Sequence, residues 1–201
     1  MVRSLLFLLL FASTGHAQIY NRLVQVNIGV SSEQFSFEED ISNFNDTSSH
    51  AFDFVSKSPL ISYTHTLIFG DKFALAGKLG FQYLNIFYDN KYYGSPFTYI
   101  SINPTLTIFY KKRFEYYVRL NVGATFWFNQ PEPLPNVARR VFPEKVSAIT
   151  GITVGGFNYF VTDKLGLNLE LSIWSPELLT FGLNYRFHRG EKPTIQKMQE
   201  I

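Results

Sequence analysis

The chain has 201 residues, room for a single domain. Apolar residues make up 46% and charged residues only 17%, too few charges for an ordinary soluble surface, while aromatics, mostly Phe and Tyr, reach 17%. A net charge of +2 gives no support to a nucleic-acid partner, and the absence of Cys excludes a disulfide framework and any thiolate metal site.

The first residues divide into three parts. Arg3 supplies a positive charge, Ser4 to Ser13 is an apolar run rich in Leu and Phe, and Gly15-His16-Ala17 offers small residues at the two positions a signal peptidase reads. This pattern predicts a secretory signal peptide over residues 1–17, cut between Ala17 and Gln18. The apolar run is too short for a membrane helix, and the sequence after Ala17 alternates instead of continuing apolar.

Alternation then recurs down the chain, the period-2 signature of strands whose two faces meet different surroundings. Eight strands are predicted near residues 21–31, 58–69, 73–88, 97–110, 114–128, 146–161, 165–174 and 178–187. In the first, Val24, Val26, Ile28 and Val30 oppose Gln25, Asn27, Gly29 and Ser31. In the seventh, Leu165, Leu167, Leu169, Leu171 and Ile173 oppose Gly166, Asn168, Glu170 and Ser172. The sixth is least regular, and Gly155-Gly156 predicts a bulge that resets its phase. Three connections are tight, at Gly70-Asp71-Lys72, Lys111-Lys112-Arg113 and Thr162-Asp163-Lys164. Between them fall longer excursions at 32–57, 89–96 and 129–145, then a short one at Ser175-Pro176. Short turns at one end and long loops at the other suit a transmembrane barrel with both termini on the short-turn side.

Alternation alone also fits a soluble barrel that is apolar inside. Three features favour apolar faces turned outward to lipid. The polar faces consist of Ser, Thr, Asn, Gln and Gly with few charges. Aromatics sit at the turn ends of the apolar face: Phe69, Phe73, Tyr110, Phe114 and Phe187. The pattern recurs on nearly every strand, as full closure in hydrocarbon demands.

On these grounds the chain resembles the small eight-stranded outer-membrane barrels of OmpX and OmpA type over residues 20–187. Stretches such as Ile102-Asn103-Pro104-Thr105-Leu106 and Gly156-Phe157-Asn158-Tyr159-Phe160 look like that family's recurring strand-to-turn phrases. The resemblance implies an all-β fold, an eight-stranded antiparallel up-and-down transmembrane barrel spanning residues 18–187. It also implies a bacterial outer-membrane location with periplasmic termini, and contact with barrel-assembly machinery during insertion. Members often stop at a terminal aromatic. Phe187 holds that place here, and residues 188–201 follow as a polar periplasmic tail.

Chemistry is sparse. His65 shares its face with Ile61, Tyr63, Leu67 and Phe69, without an activating acid or Ser beside it and with Gly77 expected opposite. His50 follows Ser48-Ser49 in the first loop, and Asp40, Asp46, His50 and Asp53 show no recognised ligand spacing. Gly151, Gly155 and Gly156 precede no helix and form no phosphate loop. No catalytic residue, cofactor or metal is expected. The expected function is a non-enzymatic membrane anchor or envelope component. Its partners would be outer-membrane lipid and an extracellular ligand or envelope protein meeting loops 32–57 and 129–145. A lipid-modifying enzyme, or a subunit of a larger outer-membrane complex, is the alternative.

The charges on the polar faces carry one sharper expectation. Lys78, Arg119 and Glu170 each lie five residues from an apolar residue flanking a short turn. Five tilted residues rise about 12 Å, so all three should share one layer inside the barrel. Confined charges need partners, so Glu170 is expected to bridge Arg119, Lys78 or both, with Glu115 and Arg186 as a second layer nearer the rim.

Overall fold

In the computed structural model, the described residues are 19–32, 35, 53–69, 72–88, 91–111, 113–128 and 145–187. The predicted signal segment 1–17, residues 188–201 and most of the predicted loops at 32–57 and 129–145 lie outside them. The strands are β1 (Ile19–Ser31), β2 (Asp53–Lys57), β3 (Leu60–Phe69), β4 (Phe73–Tyr88), β5 (Lys91–Lys111), β6 (Phe114–Trp127), β7 (Val146–Phe160), β8 (Leu165–Ile173) and β9 (Glu177–Arg186).

Nine segments make eight walls. β2 pairs with β4 just above β3: Lys57 lies opposite Leu84, and Ile61 opposite Phe81. Pro59 lacks the amide hydrogen a ladder needs. The break at Ser58-Pro59 is bridged instead by Ser58, whose backbone N–H donates to the Tyr83 carbonyl (2.9 Å) and whose hydroxyl accepts from the Tyr83 N–H (2.8 Å). The other walls pair antiparallel with their sequence neighbours, and β1 meets β9 to close the ring. A row of partners starting at Gly29 runs through Thr180, Glu170, Gly156, Tyr117 and Thr107 to the turn at Lys72. It returns to β1 near Ile19, an offset of about ten residues, the shear that tilts strands in a closed barrel.

Two sequence expectations are corrected. The excursion predicted at 89–96 is largely strand: β4 and β5 pair continuously up to Tyr88 opposite Lys91, leaving only residues 89 and 90 between them. Likewise, residues 53–57 of the first predicted loop form β2. Gly94 and Pro96 read as breakers, but paired backbone tolerates them beside Asn85 and Tyr83. Within β5, Pro104 again has no N–H to give. The Leu120 carbonyl, opposite it in the register, accepts from the Asn103 side-chain amide at 3.3 Å.

The expected bulge in β7 lies between Thr153 and Gly155, and Gly155 and Gly156 are both buried, so the alternation does reset there. Outward residues are apolar and exposed, among them Val26 (53%), Ile102 (61%) and Leu183 (62%), while the inward Gln25, Asn27, Asn103, Asn121, Asn168 and Thr180 are buried. Phe73, Tyr110, Phe114, Tyr159 and Phe187 are exposed around the short-turn end, and the tilted rings of Phe114 and Phe157 have centroids 5.9 Å apart there. Towards the opposite end the interior changes character: Leu60, Leu84, Phe97, Trp127 and Ile149 are buried.

Candidate functional site

Buried polar side chains are costly unless they are hydrogen-bonded, and many of those lining this lumen bond to one another. Lys78 on β4, Arg119 on β6 and Glu170 on β8 point inward from three walls and are almost completely buried. Lys78 Nζ lies 2.6 Å from Glu170 Oε2, and Arg119 Nη1 lies 2.7 Å from Glu170 Oε1. Glu170 therefore holds both cations, one on each oxygen. Arg119 Nε also donates to Thr105 Oγ1 (3.0 Å), and Nη2 to Gln25 Oε1 (3.4 Å).

Three further members had not been picked out in the sequence. Glu177 pairs with the same Lys78 ammonium, and the Tyr99 hydroxyl donates to the other Glu177 oxygen. The Tyr117 hydroxyl donates to Glu170 Oε1 at 2.5 Å and accepts from Asn168 Nδ2 at 2.8 Å. Glu177 was hidden by phase: it shares odd numbering with Leu179 and Phe181, which face outward. The β1–β9 register shifts between Val30 and Ser31, so that Leu179 faces Val30 and Glu177 faces Ser31. That bulge at Leu178 turns the carboxylate into the lumen. The available signal was charge: Lys78 and Arg119 with Glu170 alone leave one cation over, and Glu177 balances it.

Glu115 and Arg186 form a second ion pair nearer the turn end, somewhat less buried. The Arg186 guanidinium also covers the Phe160 ring at 3.9 Å from its centroid. Asn158 links the two layers, since its side-chain amide donates to Glu115 Oε2 (3.1 Å) and its oxygen accepts from Gln25, Asn168 and Asn184. Above the ion pairs, Asn103, Asn121, Thr153 and Ser172 continue the chain of hydrogen bonds across four walls.

His65 faces outward on β3, with Gly77 opposite it and the Tyr63 hydroxyl 3.4 Å from its Nδ1. His50, Asp40 and Asp46 lie outside the described residues. Among the described residues, no three His, Asp or Glu side chains come together as a metal site would require. What the arrangement does chemically is fill space with mutually neutralised charge.

Fold and lumen together define a small closed antiparallel β-barrel of eight walls, apolar outside and ion-paired inside. No protein-family profile and no curated protein matches the chain. Among solved structures it is similar to the outer membrane protein OprG from Pseudomonas aeruginosa, with 11% identity and a TM-score of 0.49 over 85% of this chain and 97% of that one. It is also similar to a chain from a study entitled "De novo design of transmembrane beta-barrels", with 10% identity and a TM-score of 0.43 over 84% of this chain and 97% of that one.

Proposed function

We propose that the protein is a bacterial outer-membrane barrel that acts without catalysis, anchoring itself in lipid and presenting its long connections on the cell exterior. One observation carries this: the polarity of the barrel is inverted. Leu and Ile side chains stand exposed on the outer wall, while Lys78, Arg119, Glu170 and Glu177 are buried within. Water would penalise such an exterior heavily, whereas hydrocarbon favours it. The cross-linked lumen supports an anchor over a conduit, since eight walls enclose only enough room for side chains. The envelope-complex alternative shares every one of these features. It differs only in predicting a stable partner, which pull-down from detergent-solubilised outer membrane would reveal.

The reading is tested by expressing the full chain in a Gram-negative host and recovering the outer membrane. The protein should lose residues 1–17 and migrate differently on a denaturing gel before and after boiling, because every ladder hydrogen bond is internal. Recovery as a soluble protein, or identical migration of a membrane-extracted sample, would overturn it.

The orientation has its own test. Residues 33–52 and 129–144 connect β1 to β2 and β6 to β7 at the end opposite the short turns. Protease added to intact cells should cut within those two stretches and spare residues 70–72 and 162–164. Cleavage first at the short turns would place the termini outside the cell.

A further inference from the structure

The eight walls are unequal in height. β8 and β9 have 9 and 10 residues, whereas β4 and β5 have 16 and 21. At about 3.3 Å per residue and a tilt of about 45°, β8 climbs roughly 21 Å and β4 roughly 37 Å. A membrane barrel carries an apolar band about 25 Å tall. The β8–β9 hairpin therefore ends where that band ends, while the walls from β4 to β7 continue beyond it. The registers agree: β7 pairs with β8 only from Ile152 downward, and its residues 146–151 stand above the hairpin tip.

At that tip sits Trp174, 80% exposed, the most exposed large apolar side chain among the described residues. It follows directly on the outward Leu171 and Ile173, so it extends the apolar wall by one side chain. Its backbone is held in an unusual conformation, with φ at 54°. Both neighbouring walls pack against the turn that carries it. Ser32 on the β1 side donates its N–H to the Pro176 carbonyl (3.0 Å) and its hydroxyl to the Ser175 carbonyl (2.5 Å). On the β7 side the chain runs so close that a Cβ on Gly151 would stand 2.3 Å from the Trp174 carbonyl oxygen. A left-handed turn at a residue other than glycine is strained and persists only where its surroundings hold it, as these contacts do, so the exposed position of the indole is fixed by the fold.

We infer that Trp174 is the docking point of the low wall on the lipid surface, seated among the headgroups of the outer leaflet. The indole suits that layer, with an apolar ring for the acyl boundary and an N–H for headgroup oxygens. The barrel then rides at a fixed depth. Its low side, from β8 to β1, is flush with the membrane, and its high side, from β4 to β7, stands in the aqueous exterior. This inference rests on the membrane reading above, and the test separates the two.

The chain has two Trp residues, and the other is a built-in control: Trp127 is buried inside the barrel, 4.8 Å from the Phe97 ring. Trp127→Phe and Trp174→Phe each leave one emitter. Both proteins are folded into phosphatidylcholine vesicles whose acyl chains carry bromine either near the headgroup or near the chain end. Trp174 should be quenched most by the shallow bromines, at least twofold more than by the deep ones, and little by aqueous iodide. Trp127 should respond weakly to all three. Quenching of Trp174 by iodide but by neither brominated lipid, in protein that floats with the vesicles and shifts on heating, would overturn the docking point and leave the barrel reading intact. Stronger quenching by the deep bromines would overturn the proposed depth. Failure to float at all would overturn the membrane reading and this inference with it.

Discussion

Glu170→Gln should lower the unfolding free energy by about 3–5 kcal/mol, the cost of stranding buried charge whose partner has been removed. The glutamine keeps the shape but loses the negative charge on the two oxygens that hold Lys78 and Arg119. Glu177 alone then faces both cations, and it touches only Lys78 of the two. Urea unfolding in vesicles, followed by fluorescence, reads the loss. Glu115→Gln is the comparison: its pair with Arg186 lies nearer the rim, partly reached by water, and Arg186 keeps the Phe160 ring. That change should cost less, about 1–2 kcal/mol, because one cation rather than two loses its partner and that cation keeps the ring. Adding Arg119→Met to Glu170→Gln removes the cation left stranded while Lys78 keeps Glu177, and should recover part of the loss. An unchanged midpoint for Glu170→Gln, or a double variant weaker by the full sum of the singles, would mean that the cluster does not act as a unit.

The strand phases could be read because each wall meets two different media. Leu165 to Ile173 alternates with Gly166 to Ser172 without exception, and the structure exposes the first set and buries the second. Legibility ended where that contrast ends. Near the long-loop end the interior becomes apolar, with Leu84, Phe97, Trp127 and Ile149 pointing in. In β7 the pattern is inverted outright, since Ile149 is buried while Ala148 and Thr150 are exposed. Period-2 arithmetic has no purchase on such a segment. That is why residues 91–96 of β5 read as a loop, and why β2 is hidden behind Pro59. A bulge defeats the arithmetic differently, by shifting phase within a strand. Glu177 was assigned to no face for this reason, although its charge was needed to balance the lumen. Tyr117 is not legible because an inward aromatic at that height needs a gap opposite, and the gap is supplied by a glycine on another strand.

That gap is Gly156, and filling it should be nearly as damaging as removing Glu170. Gly156 pairs with Tyr117 in the register, and the ring lies so close that a Cβ would sit 2.2 Å from its Cε2 and 2.4 Å from its Cζ. These are atoms of a rigid ring anchored at its far end, where the hydroxyl bonds Glu170 and Asn168. The ring cannot yield without withdrawing that hydroxyl and disturbing the guanidinium of Arg119, which lies 4.9 Å from its centroid. Overpacking together with a broken buried hydrogen bond puts the expected loss for Gly156→Ala at about 3 kcal/mol. The adjacent glycine gives the control. A Cβ on Gly155 would approach only the edge of the half-buried Phe157 ring, at 3.2 Å, and that ring can move aside. Gly155→Ala should therefore cost less than about 1 kcal/mol, near the floor of overpacking penalties. Pairing Gly156→Ala with Tyr117→Leu should cost less than the two changes added together, because the shorter side chain vacates the space the methyl needs. Equal midpoints for the two alanine variants would show that the ring over Gly156 has room to spare, and with it that Tyr117 is not what fixes Glu170 in place.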